Sequence, residues 1–267
     1  MNRLQVAKAA CYLAADIQKG YLSRKDFGIS TKSNDKDLVT EADKACDVAI
    51  VQHLRAHFPH DAFVTEESFV EGQTLPMHGT WVIDPVDGTT NFAHGFPHFA
   101  VSIAYVEEGE PVLGLIYDTM KDQLFWAEKG QGAWCNQTRI HVSDVTQLSL
   151  SLLSTGFPSN QSKHQYEANL RLFTQFMRST HGVRRAGSAA LDLAYVAAGY
   201  MDGFWEPQLS PWDVAAGILL VEEAGGLTCD FQRQRLDLTQ RRINILATNN
   251  QAILSAMLDL CMAESFA

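Results

Sequence analysis

Trp81-Val82-Ile83-Asp84-Pro85-Val86-Asp87-Gly88-Thr89-Thr90-Asn91-Phe92 begins as an apolar strand and ends in an acidic turn. Asp84 and Asp87 bracket Pro85, whose ring removes a backbone donor and bends the chain. Both carboxylates can then converge on one site while the Val86 carbonyl turns inward. Hard oxygen donors of this kind suit magnesium. If a helix begins at Gly88-Thr89-Thr90, its first amides lack intrahelical partners and form a cradle for phosphate beside the metal ligands. An ordinary strand end followed by a polar turn reads the same way, because D-x-x-D-G recurs by chance in a chain with 31 acidic residues.

Two further segments extend the pattern. Val64-Thr65-Glu66-Glu67-Ser68 places paired carboxylates after a short apolar strand, and Pro211-Trp212-Asp213-Val214-Ala215-Ala216-Gly217 places an Asp at the opening of an apolar helix. Taken singly, the glutamates are a solvated strand end and Asp213 is a first-turn residue favoured by the helix dipole. Around them, apolar positions at three- and four-residue intervals predict helices over residues 2–21 and from Ala42 to Leu54, the second N-capped by Thr40. Strand periods predict a sheet built mainly from hairpins, with strands at Trp81–Ile83, Ala100–Val106, Val112–Tyr117 and Gln123–Ala127. Helical spacing returns at Tyr166–Met177, Ala189–Ala198, Val214–Ala224 and Ala252–Leu260, with short strands near Leu152–Ser154 and Ile243–Ala247. Helices flank sheets, so the class is α/β or α+β, in layers.

The 267 residues, 46% of them hydrophobic, suffice for a substantial core. No repeat or Pro/Gly/Ser-rich linker divides them, and we expect one domain over residues 1–267, with most metal ligands in about 1–140 and the rest of the site in about 141–267. A formal charge of −10 opposes direct nucleic-acid binding. An anionic substrate therefore needs divalent ions gathered by carboxylates. No segment approaches a membrane span or a signal peptide. Cys11, Cys46, Cys135, Cys229 and Cys261 are odd in number and form no C-x-x-C pair, which fits a reducing cytoplasm.

Thr65-Glu66-Glu67-Ser68, the run Trp81–Phe92 and Trp212-Asp213-Val214-Ala215-Ala216-Gly217 together resemble the three signature motifs of the inositol monophosphatase family. The resemblance extends to Asp37-Leu38-Val39-Thr40-Glu41-Ala42-Asp43 and to Gly187-Ser188-Ala189-Ala190-Leu191-Asp192-Leu193-Ala194, so it spans essentially the whole chain. It implies a layered αβαβα sandwich, a homodimer, two or three Mg2+ ions per site and lithium sensitivity. It also implies that Glu66, Asp84, the Val86 carbonyl and Asp87 hold two ions, with Asp213 completing the second site and Asp43 near a weaker third. Gly88, Thr89 and Thr90 would cradle phosphate near Lys32, and Thr89 with Glu66 would orient the attacking water. Asp87 and Asp213 would also face substrate, and Gly187, Ser188, Ala189 and Glu206 would line the polyol pocket.

The implied reaction is hydrolysis of a small sugar or polyol monophosphate, with inositol monophosphate the leading candidate. Fructose bisphosphate, 3′-phosphonucleotides and histidinol phosphate are alternatives, for which Arg184 and Arg185 are candidate grips on a second phosphate. A further alternative from the resemblance is a bacterial partner of the transcription machinery, acting through protein contacts. His53 and His57, four apart, are a candidate transition-metal pair, though a solvated helix face explains them more simply. His94-Gly95-Phe96-Pro97-His98-Phe99 is assigned to packing or dimer contacts.

Overall fold

The computed structural model describes residues 2–24, 28–31, 38–70, 76, 78–157 and 162–264. Helix α1 (Arg3–Arg24) leads through the short paired strands β1 (Ser30–Thr31) and β2 (Leu38–Val39) into α2 (Glu41–His57). Thr40 caps α2 as its sequence predicts. Its hydroxyl accepts from the Ala42 and Asp43 amides, and Asp43 returns the bond by accepting from the Thr40 amide at 2.8 Å, a reciprocal capping box.

Strand β3 (Ala62–Thr65), β4 (Thr80–Asp87), the single turn α3 (Thr89–Ala93), β5 (Ala100–Glu107), β6 (Glu110–Asp118), β7 (Gln123–Glu128), β8 (Ala133–Cys135) and β9 (Thr138–Ile140) follow. Their seven strands form one sheet in sequence order. Only β3 and β4 run parallel in it, so it is the hairpin-built sheet the strand periods predict.

The rest of the chain supplies β10 (Leu152–Thr155), α4 (Lys163–Ser179), β11 (Gly182–Arg184), α5 (Ala189–Ala197), β12 (Gly203–Leu209), α6 (Pro211–Glu223), β13 (Leu227–Cys229), β14 (Ile243–Thr248) and α7 (Gln251–Cys261). Its five strands form a mixed sheet in the order β11-β10-β12-β14-β13. Strand β12 is absent from the sequence reading because Glu206 and Pro207 interrupt its apolar run.

The layers are αβαβα. Helices α1 and α2 cover the outer face of the larger sheet, α5 and α6 fill the space between sheets, and α4 and α7 cover the far face of the smaller one. Every residue of β4 is buried, as a strand sandwiched between helices on both faces must be. Helix α6 is apolar on all sides for the same reason. Gly217 sits where α6 meets α5: a Cβ there would overlap the Leu193 side chain. The last residue of the Trp212–Gly217 motif is thus fixed by helix packing.

Candidate metal-dependent active site

Asp84 and Asp87 are three residues apart, and on a regular strand they would point to opposite faces. Register with β5 shows why they do not. Asp84 pairs with Ser102 and Asp87 with Ala100, so β4 holds one extra residue at Pro85-Val86, a bulge that turns both carboxylates to one side. Asp213 enters from the first turn of α6. One carboxylate oxygen from each of Asp84, Asp87 and Asp213 falls within a cluster no wider than 4.8 Å, the only such group among the described residues.

Each of these carboxylates has one oxygen held by a backbone amide. Asp84 Oδ1 accepts from the Val86 amide at 2.9 Å, Asp87 Oδ2 from Ala190 at 2.9 Å, and Asp213 Oδ2 from Ser210 at 2.7 Å. The Ser188 hydroxyl also donates to Asp87 Oδ2 and accepts from the Leu191 amide. The start of α5 therefore grips Asp87, so Gly187, Ser188 and Ala189 stand beside that carboxylate. Asn91 ties the same segment to α3, donating to the carbonyls of His98 at 2.7 Å and Ala186 at 2.9 Å.

A short helix does begin after the acidic turn, at Thr89, capped by Gly88 at φ 95°. A Cβ at Gly88 would crowd the Gly187 and His98 carbonyls at 3.1 Å, so the left-handed turn and the close approach both require glycine. The Thr89 hydroxyl lies 3.0 Å from Asp43 Oδ1 and 3.1 Å from the Val86 carbonyl. Asp43 is wholly buried, its other oxygen occupied by the α2 cap. Glu66 follows β3, its amide bonded to the Ile83 carbonyl at 3.1 Å, and its charge is felt by Asp43, Asp87 and Asp213. Thr90 is exposed, and Lys32 lies outside the described residues.

Burial, then the Glu66 and Asp87 charges, push the Asp213 carboxyl up to about 8, although solvent still reaches part of the side chain. Burial pushes Asp87 up to about 6, with the Ser188 and Ala190 hydrogen bonds opposing. Glu206 on β12 is raised well above the usual carboxylate range by burial, then by Asp192, Asp213 and Asp87. It lies over Gly156, where a Cβ would overlap both its oxygens. A concentration of buried carboxylates with oxygen donors is matched by a hard divalent cation, which favours the ionised forms that burial and mutual repulsion disfavour. The donor set fits Mg2+.

Three contributors escape the sequence reading. Asp192 on α5 is buried and raised by burial and by Asp87, yet in sequence it is one acidic residue inside an apolar helix. Arg241 packs over the rings of Trp212 at 4.6 Å and Phe69 at 4.9 Å and donates to the Ser210 hydroxyl, joining the turn after Glu66 to the start of α6. Gln18 of α1 donates to the Pro85 carbonyl. Asp192 lies within the Gly187–Ala194 run without being singled out there, whereas Arg241 and Gln18 belong to no local motif and no spacing signal marks them. The histidine pair has rings 5.0 Å apart, with His57 Nδ1 against the His53 carbonyl; His57 is exposed, whereas His53 is half-buried.

Residues 2–262 match the model of the inositol monophosphatase family. A Nus factor SuhB of Pseudomonas aeruginosa is 45% identical over 230 residues, covering 85% of each chain. Inositol monophosphatase 2 of Solanum lycopersicum is 43% identical over 217 residues, 80% of this chain and 81% of the relative. The solved inositol monophosphatase of Anabaena (Nostoc) superposes with a TM-score of 0.83 at 40% identity, covering 98% of this chain and 96% of its own.

Proposed function

The chain belongs to the inositol monophosphatase family, and from that premise we propose that it is a magnesium-dependent phosphatase acting on a small polyol or sugar monophosphate, inositol monophosphate foremost. The observation that carries this reading is the convergence of Asp84, Asp87 and Asp213, each with one oxygen fixed by an amide. With Glu66 and the Val86 carbonyl they would hold two Mg2+ ions, and Asp43 would face a third. The whole chain would act as one phosphatase unit, as a cytoplasmic homodimer. Among the described residues no helix is long and apolar enough to cross a membrane.

When bound, the ions would lower the pKa of a water and neutralise charge on the phosphate. The protein's own part is positioning. The Thr89 hydroxyl, donating to Asp43, keeps lone pairs free to accept from a water, and Glu66 offers a second acceptor, so the pair would aim that water at phosphorus. The amides of Gly88, Thr89 and Thr90 would receive phosphate oxygens, with Lys32 nearby. Glu206, with Gly187, Ser188 and Ala189, would take the polyol hydroxyls.

Phosphate release from a panel of inositol, fructose, histidinol and 3′-nucleotide esters, with and without Mg2+, tests the reading. Inositol monophosphate should turn over fastest, and turnover that persists in chelator would overturn it. The relatives named Nus factor SuhB favour a second reading, a protein partner in transcription. In cells lacking the protein, rescue by a hydrolysis-dead Asp87→Asn variant would favour that role.

A further inference from the structure

Resting on the metal-dependent reading above, we infer that Gln18 is a positioning residue for Asp84, acting through the Pro85–Val86 peptide with Thr119 as its support. Gln18 is fully buried in α1, and its Nε2 donates to the Pro85 carbonyl at 2.9 Å across 67 residues of sequence. Pro85 offers only an acceptor, so the amide nitrogen must face it. The other end of the side chain, Oε1, accepts from the Thr119 hydroxyl at 2.5 Å, and Thr119 is itself buried just beyond β6. The amide is thus held at both ends and cannot turn over without setting two oxygens against each other.

The carbonyl that Gln18 grips shares a rigid peptide plane with the Val86 N–H, and that N–H donates to Asp84 Oδ1. The proline ring locks φ at Pro85, so ψ of Pro85 is the soft dihedral that sets the plane. Fixing the carbonyl fixes ψ, and fixing ψ aims the N–H that holds the carboxylate. The bulge makes this necessary. Where β4 departs from the regular ladder, between Asp84 and Asp87, neighbouring strands no longer hold the backbone in orientation. Without Gln18 the buried Pro85 carbonyl loses its partner, and the peptide can rotate away from Asp84 to seek another.

The test compares wild type, Gln18→Met and Thr119→Val by calorimetric titration with Mg2+ in the absence of substrate, alongside metal-free unfolding midpoints and KM at saturating Mg2+. Gln18→Met should weaken Mg2+ binding about tenfold or more, the scale of lost support to a metal ligand, with KM unchanged. Thr119→Val should weaken it less, and the double variant no more than Gln18→Met alone, because both act through one hydrogen bond. Should Gln18→Met fail to fold, Thr119→Val carries the test with Gln18 in place. A lowered unfolding midpoint with wild-type Mg2+ affinity would make Gln18 an ordinary core hydrogen bond and overturn the inference. Absence of Mg2+ uptake by the wild type would instead remove the metal-dependent reading beneath it, a failure visible without any variant.

Discussion

The Thr89 hydroxyl stands 3.0 Å from Asp43 Oδ1, linking the first turn of α3 to the cap of α2 over 46 residues of sequence. Asp43 therefore does two things: one oxygen closes the helix cap and the other orients the hydroxyl at the head of the acidic turn. Thr89→Ser should retain most activity, because the hydroxyl remains. Thr89→Val should lower kcat by about 10²–10⁴-fold, the range for removing a group that handles a reacting proton. Steady-state rates read with circular dichroism check this, and a valine variant within a few-fold of wild type would remove Thr89 from the reaction.

Asp84→Asn or Asp87→Asn should abolish hydrolysis and leave the metal-free protein as stable as wild type or more so. The carboxylates crowd one another, and an amide in place of one relieves that repulsion while Asn Oδ1 can still accept from the Val86 or Ala190 amide. Near-normal turnover of either variant at saturating Mg2+ would defeat the assignment.

The raised carboxyls give stability a pH dependence with a definite sign. Asp213, near 8, and Asp87, near 6, bind protons in the folded protein that the unfolded chain has released. Between their ordinary values near 3.8 and these raised values, ionising them therefore costs folding free energy as pH rises. Metal-free protein should lose thermal stability between pH 5 and pH 8, and saturating Mg2+ should flatten that loss. Binding Mg2+ at pH 7 should also release protons, seen as a buffer-dependent calorimetric heat. A metal-free midpoint that rises over this window would contradict the prediction.

Glu206→Ala should raise KM for inositol monophosphate more than it alters kcat, since the residue is assigned to the polyol. Loss of one hydrogen bond to a charged group corresponds to about 1.5–3 kcal/mol in kcat/KM. An unchanged KM beside a collapsed kcat would move Glu206 to the reacting atoms.

Lithium should inhibit uncompetitively or noncompetitively with substrate. On the proposed reading, Asp84, Asp87 and Asp213, whose oxygens cluster, would supply carboxylates to a second ion position that water and substrate would complete, so an ion there should leave with product. A small monovalent cation entering behind the cleaved phosphate would hold product in place. Initial rates at fixed Mg2+ decide the matter: purely competitive inhibition, or none at millimolar lithium, would show a differently organised site.

Most elements and the three aspartates of the acidic cluster were legible in the sequence because each rests on a short-range pattern. Helix and strand periods mark the buried faces of α1, α2, β4 to β7 and α4 to α7, and Thr40 marks its cap by residue type alone. Asp84, Asp87 and Asp213 stand out because carboxylates beside Pro, Gly and an apolar helix form local motifs. Tertiary structure alone decided how those carboxylates meet. Strand alternation sends Asp84 and Asp87 to opposite faces, and only pairing with β5 shows the extra residue that brings them together. Likewise Ser188, Gln18, Thr119 and Arg241 act through partners 31 to 101 residues away, on elements packed against them from other layers. A periodic pattern records which face of an element is buried. Which distant hydrogen bonds that face then makes is set by the packing of layers, and local sequence carries no mark of it.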